Sequence, residues 1–241
     1  MKLSPFKLGR AKTRATALFA LLFISALDLY GSDCLATIAG VSVAIPTPEK
    51  SFTEVGSEKR DSFEFMVPSR NRLLCAFVLT DYLPHLKNPA TGVDRYMVVE
   101  VSRYIDEKNP EITTAIFEQV IAVAKQEVGD TSKLNNTAHA TAEEINNKLK
   151  AVQNSKDISI DKLIPLGTIF QTTDAYGFLI DGVVSSGGTA TRIIGGANLI
   201  RVRNRLIFAY VYGSEAESSL KWVQTTSEEW TRKILAANSS K

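Results

Sequence analysis

The chain is poor in the residues that most often advertise chemistry. It has two cysteines, two histidines and two tryptophans among 241 residues. Two cysteines cannot build a disulfide-framework fold. His85 lies in Asp81-Tyr82-Leu83-Pro84-His85 and His139 in Ala138-His139-Ala140. Neither has a second His or Cys at metal-ligand spacing, so no metal site is expected, and no cofactor is implied. The Gly-x-Ser-x-Gly elbow of serine hydrolases is missing. Long apolar stretches are missing too: Ala15 to Leu27 is thirteen residues, short of the roughly 20 that cross a bilayer. What remains is ordinary, at 44% hydrophobic and 22% charged with 14 Gly and 8 Pro, which excludes collagen-like and disordered chains.

What is present starts with an address. Lys2, Lys7, Arg10, Lys12 and Arg14 precede the apolar run, and a basic stretch feeding a short apolar one is the physical form of a signal peptide. Cleavage is expected after Ala36, in Cys34-Leu35-Ala36, with Ser42-Val43-Ala44 as a fallback. Residues 1–36 then form the signal and 37–241 a single domain, periplasmic or secreted, with no transmembrane anchor after processing. Lipidation of Cys34 is disfavoured because Asp33 precedes it. Removing those five bases with Asp28 and Asp33 leaves 23 basic and 24 acidic residues. A net charge of −1 argues against nucleic acid as a partner, since phosphate neutralisation needs a surplus of cations. The cut also leaves Cys75 as a lone, buried strand thiol within Leu73 to Val78.

Along the chain, Phe63 to Val67 and Arg72 to Leu79 read as a hairpin and Tyr96 to Tyr104 as a strand. Leu83 to Asp94 reads as a loop. Asn109-Pro110-Glu111 reads as a helix start before Ile112, Ile116, Val120 and Val123. Residues 130–137 read as a polar connector. Thr141 and Glu144 then form a capping box for a short helix, within a helical insert of about 130–165. Tyr176 to Val184, Thr189 to Ile194, Ala197 to Arg203 and Arg205 to Tyr212 read as a meander divided by glycine pairs and Arg203-Asn204. A helix of about Ser218 to Ala237 closes the chain on a stripe of Leu220, Val223, Trp230, Ile234 and Ala237. Arg70 to Val78 echoes Arg203 to Val211, and convergence on similar turns is favoured over duplication.

The last third, from Ile164 through SLKWVQTTSEEWTRKILAAN, resembles the ending of PsbP-like proteins and their DcrB-like bacterial relatives. That resemblance implies an α+β fold, an α/β/α sandwich around a central antiparallel sheet with the closing helix laid across it. It also implies an exported accessory role without catalysis. No family binding residue can be matched onto this sequence.

Four groups are candidates for function. Asp81 and His85 can pair as orienter and base, or stand as a solvated loop pair. The Gly187-Gly188 and Gly195-Gly196 pairs open into strand sequence rather than a helix, so they read as hairpin turns and not phosphate cradles. Arg192, Arg201 and Arg203 can gather on one sheet face as a ligand site for carboxylates or phosphates, or form surface ion pairs. Trp222 lies off the apolar stripe, as a partner-binding contact or a roof over the core edge. These features predict an exported, non-catalytic accessory or partner-binding protein of the bacterial cell envelope whose partner is another envelope protein. The alternatives are a small-anion binder using the three arginines and a secreted hydrolase using Asp81 and His85.

Overall fold

A computed structural model of the protein describes residues 33–86, 94–152, 157–214 and 216–239. The segment expected to be a signal peptide, residues 1–36, lies outside them apart from its last four residues. A small hairpin, β1 (Cys34–Ile38) and β2 (Val41–Ile45), precedes a seven-stranded sheet. The sheet contains β3 (Phe52–Glu54), β4 (Asn71–Leu79), β5 (Arg95–Ser102), β6 (Ile158–Gln171), β7 (Ala175–Ser186), β8 (Thr189–Val202) and β9 (Arg205–Ser214). They lie in the order β3-β4-β5-β9-β8-β7-β6, and every pairing is antiparallel. Helices α1 (Ser57–Glu64), α2 (Arg103–Lys108), α3 (Thr114–Gly129), α4 (Thr131–Val152) and α5 (Ala216–Asn238) complete the fold. The chain is therefore an α+β, three-layer sandwich with its closing helix on the sheet, as expected. None of the described helices is long and apolar enough to cross a membrane.

The meander forms for the expected reason at two of its turns. Gly187-Gly188 and Arg203-Asn204 all have positive φ, the backbone that two-residue hairpins require. Gly195-Gly196 corrects the reading of a third turn, because β8 runs straight through it. A Cβ on Gly196 would collide with Ser227 of α5, so this glycine lets the helix approach the sheet closely.

Local competition explains the other departures. Residues 57–64 are helical, so the expected 63–67 strand is absent. Asn109 ends α2 in a left-handed conformation, φ 51°, and α3 starts later, with Thr113 Oγ1 accepting from the Ile116 amide. The polar connector is itself helix: Asp130 Oδ1 accepts from the amides of Ser132 and Lys133, both at 3.1 Å, and caps a 22-residue α4. Thr141 and Glu144 thus fall mid-helix, and the 130–165 insert is α4 followed by the first half of β6. Part of the expected 83–94 loop, residues 87–93, lies outside the described residues.

Helix α5 buries Val223, Trp230 and Ile234, but Leu220 and Ala237 are exposed. Small polar residues (Ser219, Thr226, Ser227 and Thr231) complete the buried face instead, consistent with its close seat on Gly196 and Gly213. Its polar side chains also grip the incoming chain. Asn238 exchanges hydrogen bonds with the Ala44 amide and carbonyl, at 2.9 and 2.7 Å. Trp230 Nε1 donates to the Pro46 carbonyl at 2.7 Å and Lys233 Nζ to that of Pro48 at 2.6 Å.

The lone-thiol expectation is corrected by a disulfide between Cys34 and Cys75. Strict alternation would put Cys75 on the same face as Leu73, beneath α1. A register shift between Leu73 and Cys75 inserts Leu74, and such a bulge inverts every later side chain. Cys75 consequently faces the β1–β2 hairpin, packed with Leu74, Phe77 and Trp230. The cut expected after Ala36 would fall inside β1, whose Cys34, Ala36 and Ile38 are buried. It would remove half of the disulfide.

Helix α4 is fastened to the sheet by its edge. Asn135 takes both the amide (2.8 Å) and the carbonyl (3.1 Å) of Leu163, and Asn146 those of Ile158 (2.8 and 2.7 Å). The two asparagines are eleven residues apart, about three helical turns, so both sit on one face. Each carboxamide substitutes for a neighbouring strand along β6, the sheet's outer strand. Replacing both with alanine removes four hydrogen bonds, a loss of about 2–6 kcal/mol at about 0.5–1.5 each. The expected outcome is faster amide hydrogen exchange at Ile158 and Leu163 with β4, β5 and β9 unchanged; equal protection in the variant would count against the docking.

Candidate functional site

Alternation places Tyr96, Val98 and Glu100 of β5 on the α1/α4 face of the sheet, and β9 places Tyr210 and Tyr212 beside them. On β8 the facing positions are Gly195 and Ala197. Small residues there, under a helix hung from the sheet edge, leave a cavity of about 290 Å³. Its walls are largely apolar, with Phe63 and Met66 at the α1 end, Thr141 and Ile145 from α4, and Ile160 and Leu163 from β6. Tyr210, Ala197 and Ile180 also border a second groove beneath α3. Tyr96 and Tyr212 stack at 4.8 Å between ring centroids, and Tyr212 and Tyr210 at 6.1 Å. A Cβ on Gly195 would touch the Tyr212 ring, so the glycine gives that ring its place.

Glu100 is the one ionisable carboxylate in this wall and is only 5% exposed. Asn71 Nδ2 donates to its Oε2 at 2.8 Å. Burial pushes the Glu100 carboxyl up from 4.5 to about 7, and the Asn71 bond and the charges of Arg70 and Lys148 only partly oppose this. Burial likewise raises the hydroxyls of Tyr96, Tyr210 and Tyr212, and the Glu100 charge adds to the effect in each. The four groups therefore form one electrostatic unit inside an apolar space.

The rim is latched by polar contacts. Glu144 of α4 accepts from the amide and hydroxyl of Ser69 and pairs with Lys148 at 2.9 Å. Lys148 Nζ also donates to the Val67 carbonyl at 2.5 Å. Burial would raise the Glu144 carboxyl, but the Ser69 and Lys148 hydrogen bonds prevail and hold it down at about 2. Thr141, in the cavity wall, also borders a surface depression shared with Pro68, Arg70 and Glu144.

The structure disperses the candidate residues. Arg192 and Arg201 are nine positions apart on one strand, an odd number, so they project to opposite faces roughly 30 Å apart. Arg192 forms a bidentate pair with Asp181, at 2.9 and 2.6 Å. Arg201 pairs with Asp174 and donates to Asn204 at 3.0 Å. Arg203, in the turn, donates to the Ser42 carbonyl at 3.0 Å. Only Arg201 and Arg203 share a surface, an open depression beside the end of α5, so the expected three-arginine cluster does not form. Trp222 is half-buried and held by contacts within the chain. Its Nε1 donates to Glu49 at 2.9 Å, its ring stacks on Phe52, and the Arg95 guanidinium lies 4.7 Å from the ring centroid. Asp81 and His85 are exposed on a 3₁₀ turn, Thr80–His85, with no hydrogen bond between them. Among the described residues no cluster of three or more His, Cys, Asp or Glu is placed to hold a metal ion.

No protein-family model matches this chain, and no curated protein does so by sequence. Among solved structures, it is similar to the Saccharomyces cerevisiae Ran-binding protein Mog1p. That likeness is 8% identity over 86% of this chain and 90% of the other, with a TM-score of 0.29. A Mog1 mutant gives 9% identity over the same shares at a TM-score of 0.29. Likeness at that level carries nothing about ligand or partner.

Sequence reasoning passed over Glu100, although a lone acid within Met97-Val98-Val99-Glu100-Val101 was a visible signal. Its titration has a stability consequence. The folded-state value lies above the unfolded one, so stability is greatest below pH 4.5 as far as this group is concerned. It then falls as pH rises to about 7, by about 3 kcal/mol at most. Glu100→Gln should flatten urea-midpoint profiles between pH 4.5 and 7.5 and be the more stable form at pH 8. A wild-type profile with the same slope as the variant would show that Glu100 is not the titrating group.

Proposed function

We propose that this is an exported, non-catalytic binding protein of the bacterial cell envelope that holds a small, mainly apolar ligand under α4. The cavity between the sheet and α4 carries the reading: it approaches the size range of ligand pockets and combines apolar walls with a few convergent polar groups. Export is supported by two independent features. The basic and apolar N-terminal stretches read as a signal, and the Cys34–Cys75 disulfide suits an oxidising compartment. Processing upstream of Cys34 reconciles the two, because it keeps β1 and the disulfide intact. The pairing of Arg192 and Arg201 with carboxylates leaves the small-anion alternative without a built site.

Three outcomes are expected. N-phenyl-1-naphthylamine, a neutral fluorescent probe, should bind the wild type at one site and lose at least tenfold in affinity on Thr141→Trp, which fills the cavity rim. An unchanged affinity would move binding elsewhere. Protein recovered from the envelope should begin at or before Cys34 and carry no free thiol under denaturing maleimide labelling. Replacing both cysteines by serine should lower stability by about 4 kcal/mol, the loop-entropy value for a sequence separation of 41.

A further inference from the structure

Resting on the apolar-ligand reading, we infer that the cavity selects a small apolar body bearing a primary or secondary amine, the ammonium pairing with Glu100. Glu100 is 95% buried by its residual exposure of 5%. Its Oε2 accepts from Asn71, and no side chain of the described residues donates to Oε1. A buried carboxylate with one hydrogen bond is poorly compensated. The charges that act on it from outside, Arg70 before β4 and Lys148 on α4, do not hydrogen-bond to it. Lys148 is engaged by Glu144 and the Val67 carbonyl.

Ligand heads differ sharply in this setting. Among the described residues the cavity wall has no Lys, Arg or His, so an anionic head would meet a carboxylate with only the charges of Arg70 and Lys148, outside the wall, to oppose the repulsion. An alcohol supplies one neutral donor. An ammonium supplies two or three donors and the opposite charge, and charge-assisted bonds are roughly twice as strong as neutral ones. Tyr96, Tyr210 and Tyr212 line the same wall and lie within electrostatic reach of Glu100. The volume of about 290 Å³ limits the body to about the bulk of the fluorescent probe itself.

The test is displacement of N-phenyl-1-naphthylamine at pH 8 by three probes of one shape: 4-phenylbutylamine, 4-phenylbutanol and 4-phenylbutyrate. The amine should displace at a concentration at least tenfold below the alcohol, with the carboxylate weakest. In Glu100→Gln the amine's advantage should vanish while the alcohol is unchanged. Equal amine and alcohol in the wild type overturns the inference without needing the variant, and so does an advantage that survives in Glu100→Gln. Both results leave the apolar-ligand reading standing. Failure of N-phenyl-1-naphthylamine to bind at all removes that reading and this inference with it.

Discussion

Backbone groups on the outer strand of a sheet must find partners, and here side-chain amides provide them. Asn135 and Asn146 take the amides and carbonyls of Leu163 and Ile158, which hangs α4 from β6. Few large apolar residues tie that helix to the sheet face: among its described side chains the buried apolar ones are Ala138, Ala142 and Ile145. A helix held by its edge bonds need not lie flat, and the space between it and Gly195 and Ala197 is the cavity. Closing that space would require larger residues on β8 or a broader apolar stripe on α4. The chain has neither, so the void follows from how the helix is attached.

The opposite face obeys the other extreme. Helix α5 sits so close to β8 and β9 that Gly196 has no room for a side chain and one at Gly213 would press on Ser219, and Ser, Thr and Val replace larger residues at the contact. Trp230 and Phe77 meet edge to face at 5.6 Å, filling the deeper part. One face of the sheet is thus densely packed and the other is partly open.

Much of this was legible from residues alone. Alternating strands, the Gly187-Gly188 and Arg203-Asn204 turns, and the closing helix depend on local chemistry that short segments carry. What was not legible depends on long-range geometry. The bulge at Leu74 turns Cys75 toward Cys34, and no pattern in Leu73 to Val78 announces it. Gly195-Gly196 looks like a turn until α5 is known to press on it. Asp130 outcompeted the expected capping box because its carboxylate caps a helix through residues that read as linker. Of the cavity, the acid Glu100 and the period-two tyrosines were in plain view, but their convergence needed the β5–β9 pairing. The arginine grouping failed on parity, a property that counting along β8 could have exposed.

The disulfide also bears on how the chain matures. With two cysteines in the whole sequence, one intramolecular pairing exists, so oxidation has no mismatched isomer to sort out. A thiol oxidant is sufficient, and a shuffling isomerase has nothing to correct within a single molecule. Errors are confined to bonds between molecules, which dilution suppresses.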